Sequence, residues 1–503
     1  MGHSSPRFAG ADRFSSRSTE YRLAPFRFAR IPALADRILL VNEIGEFHFV
    51  SHADFGRFRS LQLSPDESVY RDLRSKHFLL DQYAAAYWPY AVSQYRTRKS
   101  FIVGGPALHI VVVTLRCDHS CPYCQVSRQT PDATRFDMAP GTADLVVDRI
   151  LESPGNDLKV EFQGGESLLG FERIRQITLA VSRRAKEVNK KVEFVVASTL
   201  NGLSDEQLGF FQENRFNLST SLDGPAWLHN RNRPRPGKNS YERTIEGIYR
   251  ARKTLGHDSV SALVTLTRES LEHPEAIIDT YVKLGFPTIF LRSLSQYGFA
   301  RKTNDRIGYA QSRFLEFYDR ALEYILKINK QGTYLEESYT ALLMRRILTP
   351  YATGYVDLNS PTGAMFGALA YNYDGGVFVS DEGRMLAESG DFTFRLGDVS
   401  QSRDILFGSN SARAIAAASV AEAMPGCSDC AFVPYCGSDP VGNHAETGSM
   451  AGHRPTSSFC QKQTALFHRL FSHLVDPGSE MARMLAGWAF GMPLLEAARE
   501  CQQ

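Results

Sequence analysis

Between Ala107 and Leu294 the chain alternates short apolar segments with amphipathic ones, and that alternation leaves few folds open to it. HIVVVTL (109–115), LKVEF (158–162), VEFVVAS (192–198), FNLSTSL (216–222), SVSALVTLT (259–267) and TIFLRSL (288–294) read as strands. Helical patterns separate them, among them GTADLVVDRILES (141–153), SDEQLGFFQEN (204–214) and SYERTIEGIYRARKTLG (240–256). Ser204 and Glu206–Gln207 suit the start of the second of these. Strands alternating with helices make a parallel sheet with helices packed on it. Closing eight strands would take two more units, which do not occur before residue 330. The expected fold is therefore α/β, a partial (β/α)6 barrel.

The 503 residues are 43% hydrophobic and 22% charged, globular values for a chain of about two to four domains. A net charge of +2 exerts no pull toward nucleic acid or anionic membrane, and neither is expected as a partner. Residues 1–24 are rich in Ser and Arg without an apolar stretch, and read as a flexible tail, not a secretory signal. The run from Met484 to Leu495 contains Pro493 and is too short to span a bilayer. The expected compartment is the cytoplasm. Around the barrel (105–305) we expect a small α+β module at 25–104 with a hairpin about Glu43–Glu46. A helical linker at 306–355, a cysteine-bearing domain at 356–470 and C-terminal helices at 471–503 complete the expected order.

Seven of the eight cysteines fall in two groups: Cys117, Cys121, Cys124, then Cys427, Cys430, Cys436, Cys460, with Cys501 left over. In a large chain without a secretory signal such spacing points to a soft metal or redox centre, not to disulfides. Four thiolates saturate a tetrahedral zinc or all four irons of a [4Fe–4S] cluster. Three do not: the first group needs His109 or His119 to complete a zinc site, or leaves one iron of a cluster open. A closed site is structural or relays electrons; an open one does chemistry.

In parallel α/β folds ligands sit at the carboxyl ends of the strands. Here the first strand ends in the three-cysteine loop and the second in Gly164–Gly165–Glu166. The third ends in Ser198–Thr199–Leu200–Asn201 and the fourth in Ser221–Leu222–Asp223. Paired glycines permit close backbone approach, and Glu166 is an anion able to hold an ammonium group. Alone, GGE is a weak signal; one strand after an open cysteine loop it is a strong one.

RCDHSCPYC and the following GGE resemble the radical S-adenosylmethionine enzymes, whose hallmark is C-x3-C-x2-C after the first strand. The resemblance implies a [4Fe–4S] cluster at Cys117, Cys121 and Cys124, with S-adenosylmethionine chelated to its open iron. It also implies that Tyr123 precedes the last ligand, that Gly164, Gly165 and Glu166 hold the methionine amine, and that Asn201 and Ser221 lie near the rest of the cofactor. Reduction requires an electron donor such as flavodoxin or ferredoxin. Arg233, in HNRNRPRPGK, is placed to reach the cofactor carboxylate, with a solvated basic loop as the plainer alternative.

The second cysteine group resembles the SPASM domain of peptide-modifying radical enzymes. Two positions depart from it: Ser380 stands where G-x4-C would end, and Pro440 where a later cysteine would be. The implication is one auxiliary [4Fe–4S] cluster at Cys427, Cys430, Cys436 and Cys460, with structural zinc as the alternative. Asp381 occupies the place of an aspartate proposed as general base in sulfatase maturases; a salt bridge with Arg384 is the plainer role. FRF (26–28), LLVNEIGEFHFVS, SDEGRML and FRLGDV further resemble the radical maturase of His-Xaa-Ser systems. That subfamily implies a small precursor peptide as substrate and a second radical maturase as partner. Residues 25–104 would then bind a leader peptide at a sheet edge or serve as a cap. The rivals are a sulfatase-type maturase that forms formylglycine and a non-catalytic metal-binding peptide scaffold.

Overall fold

The computed structural model describes residues 21–494 apart from Tyr83 and Gln296. Cys501 and the first 20 residues lie outside the described ones. The N-terminal module is a three-stranded antiparallel sheet of β1 (Phe26–Ala29), β2 (Arg37–Asn42) and β3 (Phe47–Ser51). The expected hairpin is β2–β3. Its turn is closed by Asn42, whose side-chain oxygen accepts from the Ile44 and Glu46 amides at 3.2 and 2.9 Å, with Gly45 at φ 84°. FRF adds the third strand. Ile38, Leu40 and Val50 from the sheet pack on Phe55, Phe58 and Leu73 from two short helices, a core of the module's own. The module begins before residue 25: Tyr21 and Ala24 are buried and Arg22–Leu23 pairs with Leu79–Leu80.

Six parallel strands follow in chain order across one sheet: β4 (Leu108–Thr114), β5 (Asp157–Gly164), β6 (Lys191–Ala197), β7 (Asn217–Ser221), β8 (Val260–Thr265) and β9 (Leu291–Arg292). Alternation along each strand assigns its two faces. In β5, Leu158, Val160 and Phe162 are buried under helices while Glu161 and Gln163 face the barrel interior. Phe162 and Phe194, on neighbouring strands, and Phe216, just before β7, stack 6.5 and 5.3 Å apart between neighbours, and Phe211 packs on Phe216. Burying each such ring stabilises the fold by about 1.5–3 kcal/mol. The helix Asp205–Glu213 starts in a capping box between Ser204 and Gln207.

Four features depart from the expected layout. TIFLRSL is broken: Thr288–Ile289 pairs with Glu336–Glu337, and only Leu291–Arg292 joins β8. The buried Glu337 carboxylate accepts from the Leu291 amide at 3.2 Å and takes the place of a ladder partner there. On its other side the sheet continues past β4 into β10 (Ala368–Tyr371), parallel to it, then antiparallel β11 (Gly376–Phe378) and β12 (Arg395–Asp398). The Gly-rich segment expected in the second cysteine domain is thus built into the barrel sheet. The helices Gln311–Lys330 and Ser338–Leu348 are no linker, because Phe317, Ala321, Leu343 and Met344 belong to the main core. Finally, the division at 471 falls inside the helix Ser458–Leu474, whose N-cap Ser457 accepts from the Cys460 amide.

The N-terminal module docks on the C-terminal cysteine region. Tyr435 donates to the Gly45 carbonyl at 2.9 Å, and Phe47 meets Phe471 edge-on at 5.1 Å. Among the described residues no helix is long and apolar enough to cross a membrane.

Candidate active site

At the carboxyl ends of β4 to β8 lies a cavity of about 540 Å³. Cys117, Cys121, Tyr123 and Cys124 line it from the loop after β4, Gly164 and Gly165 from the end of β5, and Ser198 and Thr199 from the end of β6. Ser221 and Arg233 close one side, and Ser380, Asp381 and Glu382, after β11, close the other.

The paired glycines are a steric necessity. A Cβ on Gly164 would stand 2.3 Å from the Thr114 carbonyl oxygen, and one on Gly165 2.4 Å from those of Leu115 and Arg116. Only a bare backbone lets the end of β5 lie against the start of the cysteine loop. There the Gly165 and Glu166 amides donate to Thr114 and Arg116 at 2.9 and 2.7 Å.

Glu166 is placed otherwise than as a free anion. Its carboxylate accepts from the Ser198 hydroxyl (2.6 Å), the Leu168 amide (3.1 Å), and the Thr199 amide and hydroxyl (2.8 and 2.7 Å). A buried carboxylate must be satisfied in this way, and the result ties the ends of β5 and β6 together. Asn201 also turns inward: its amide nitrogen meets His119 Nε2 at 2.9 Å and its oxygen accepts from Thr244. Tyr123 donates to Asp223 at 2.5 Å and accepts from Arg233 at 2.8 Å. Burial holds the Asp223 carboxyl above its ordinary range while the Arg233 guanidinium pulls it back. Asp381 accepts from Arg384 Nε at 2.8 Å, an ion pair with the arginine wholly buried, and it also borders the cavity.

The donor sets fit iron–sulfur clusters better than zinc. Among the described residues one group, Cys117, Asp118 and His119, brings three potential ligand atoms within 4.8 Å of one another. The cysteines of each set are thus spread more widely than the ~3.8 Å between sulfurs on a zinc bound at ~2.3 Å. Neither histidine is free to complete a zinc site. His109 Nδ1 meets Tyr371 and its Nε2 meets Ser153, each at 3.0 Å, and His119 is engaged by Asp118 and Ser240 at 2.6 and 2.8 Å. Burial pushes the Cys117 and Cys121 thiols up, the latter to about 12, so both need a cation to ionise. The other four cysteines converge on one small, mostly apolar cavity of about 30 Å³ walled by Phe432, Phe459 and Phe467.

Ser380 and Pro440, the two positions where cysteines would stand in the SPASM pattern, carry other duties. Ser380 caps the helix Asp381–Ala387, accepting from the Gly383 amide at 3.2 Å. Pro440 opens the helix Pro440–Thr447 behind Asp439, which accepts from the Gly442 amide at 2.8 Å.

One chamber has no counterpart in the sequence reading. A cavity of about 110 Å³ shares Arg292, Tyr355, Asp357 and Glu382 with the main one, and Phe459 with the four-cysteine cavity. Asp357, Glu382 and Asp439 meet there beside Lys462. Burial, then mutual repulsion, raises Glu382 to about 7 and Asp357 to about 6; burial and Glu382 do the same for Asp439, also to about 6. The acids come from three separate segments, and no spacing announces their meeting.

Residues 111–281 match the model of the Radical SAM superfamily. An uncharacterised protein of Methanothermobacter thermautotrophicus is 30% identical over 183 residues, 36% of this chain and 65% of that protein, so the chain spans less than two thirds of its length. Native anSMEcpe with bound AdoMet and Kp18Cys peptide superposes with a TM-score of 0.59 at 17% identity, over 74% of this chain and 98% of that one. Streptococcus suis SuiB bound to precursor peptide SuiA gives a TM-score of 0.52 at 14% identity, over 88% and 100%.

Proposed function

This chain carries a radical S-adenosylmethionine domain, and on that premise we propose that it is a radical maturase that modifies a ribosomally made peptide. One observation carries the reading: the open three-cysteine loop, the paired glycines, Ser221, Arg233 and Asp381 border a single cavity at the strand ends. The likeness to solved structures holding AdoMet and peptides supports it.

When bound, the cluster and S-adenosylmethionine would supply radical chemistry for hydrogen abstraction. The protein's part is orientation, exclusion of water and proton handling. Cys117, Cys121 and Cys124 hold the cluster. The backbone at Gly164–Gly165 would receive the methionine amine and Arg233 its carboxylate, since all three residues line the same cavity. Glu166 acts through Ser198 and Thr199, keeping that side of the cavity in register. Asp381 and Glu382 stand on the far wall. Glu382, raised to about 7, is the better matched to accept a substrate proton near neutrality, while Asp381 is paired with the buried Arg384. Cys427, Cys430, Cys436 and Cys460 hold an auxiliary cluster that exchanges electrons. The assignment to a His-Xaa-Ser system, with a second maturase as partner, rests on the resemblance of 26–28, 39–51, 380–386 and 394–399, and a flavodoxin or ferredoxin as donor on the resemblance of the three-cysteine loop and GGE. The sulfatase-type alternative is supported by Asp381 and opposed by Ser380 and Pro440, which start helices where that pattern has cysteines.

Protein reconstituted without oxygen is expected to hold about eight iron and eight sulfide per chain. With dithionite it should cleave S-adenosylmethionine to 5′-deoxyadenosine. C121A should keep about four iron and lose cleavage. Two zincs with little iron would sink the proposal.

A further inference from the structure

The small cavity on which the second cysteine set converges is lined by a cation for which the described residues show no ion pair. Arg454 lines it and is 8% exposed, yet its Nε and Nη2 have no hydrogen-bond partner. Its aliphatic stem is held by the Gly426 turn, where a Cβ would stand 3.2 Å from Arg454 Cγ. Arg27, the other arginine nearby, is already spent on the Ser428 carbonyl at 2.5 Å. Burying a guanidinium without an anion or acceptor costs several kcal/mol, so the cavity wants an anion. The group that four thiolates would build there is one: a [4Fe–4S] cluster with four cysteine ligands is doubly negative, and triply negative once it gains an electron.

We propose that Arg454 is a positioning and tuning residue of the auxiliary cluster, donating N–H bonds to its sulfurs and offsetting the charge of the added electron. This rests on the reading of Cys427, Cys430, Cys436 and Cys460 as cluster ligands. The reaction concerned is a one-electron exchange: the oxidised cluster gains one electron, given up by an external donor or by a substrate radical as it loses its proton. Hydrogen bonds to sulfur and net charge set the potential of such clusters. The walls of Phe432, Phe459 and Phe467 exclude water and strengthen the effect.

The test is a potentiometric titration, followed by electron paramagnetic resonance, of the full chain carrying C117A, C121A and C124A so that a single cluster reports. R454M is expected to retain about four iron and to bind the electron at least tenfold more weakly, a midpoint lower by about 59 mV. R454K, which keeps the charge, should recover most of that shift. Full iron with an unchanged midpoint in R454M overturns the assignment of Arg454 alone. Should R454M lose its iron, R454Q decides, because it keeps a donor without the charge: a lowered midpoint is expected, and an unchanged one overturns the assignment. Zinc in place of iron at these four cysteines overturns the ligand reading as well.

Discussion

At the scale of single residues the site depends on what is missing from two of them. Gly165 has no Cβ, and an added methyl would press into two carbonyl oxygens at 2.4 Å. Those carbonyls belong to the chain entering the cysteine loop, so neither can yield without moving Cys117. G165A is expected to cost about 1–3 kcal/mol of stability and to abolish S-adenosylmethionine cleavage while the far-ultraviolet circular dichroism stays that of the wild type. Wild-type cleavage in G165A would refute the close-approach argument. The paired glycines and the first three cysteines were legible in the sequence because each follows a strand end that hydrophobic alternation locates; the second cysteine set was legible from its spacing alone, and Asp381 from a resemblance. The direction of Glu166 was not. Its four donors come largely from Ser198 and Thr199, a strand away, and only the packed sheet brings them within bonding distance.

At the scale of elements the chamber between the two cysteine sets is assembled from three segments: Val356–Leu358, the helix Asp381–Ala387, and the turn before Pro440. Each contributes one carboxyl that an unfolded chain would ionise near pH 4. In the folded protein Asp357 and Asp439 keep their protons to about pH 6 and Glu382 to about 7. Across that interval the folded state binds more protons than the unfolded one, so these acids stabilise fully below about pH 4 and lose that contribution as the pH rises to about 7. The wild-type melting temperature minus that of E382Q should therefore fall between pH 5.5 and 8. A rise over that interval, measured by scanning calorimetry, would reverse the sign and remove Glu382 as a proton acceptor near neutrality.

At the scale of the whole molecule, Arg98 joins regions that lie far apart in the chain. It is 7% exposed; its Nε donates to the Ile44 carbonyl at 2.9 Å and its Nη1 to those of Arg346 and Pro434 at 3.1 and 3.3 Å. One guanidinium thus fastens the hairpin turn of the N-terminal module to the loop that carries Cys430 and Cys436. R98A leaves buried carbonyls without donors, a cost of roughly 3 kcal/mol or more in total. Limited proteolysis should then release the module at residues 99–107 much faster than in the wild type. Equal resistance would show that Tyr435 and the Phe47–Phe471 contact hold the module without it.

Local pattern determined the series of strands and helices, the capping box at Ser204, the hairpin at 37–51 and the two cysteine groups. Periodicity, caps and ligand spacing are properties of neighbours in sequence, and they survive without knowledge of the fold. Tertiary structure alone decided that β10 extends the barrel sheet, that the second cysteine domain begins inside the first, and that Asp357, Glu382 and Asp439 share a chamber. It also decided that Arg454 stands unpartnered over four cysteines. These are meetings of residues distant in the chain, selected by which buried faces and buried charges must be satisfied together, and no segment read by itself contains them.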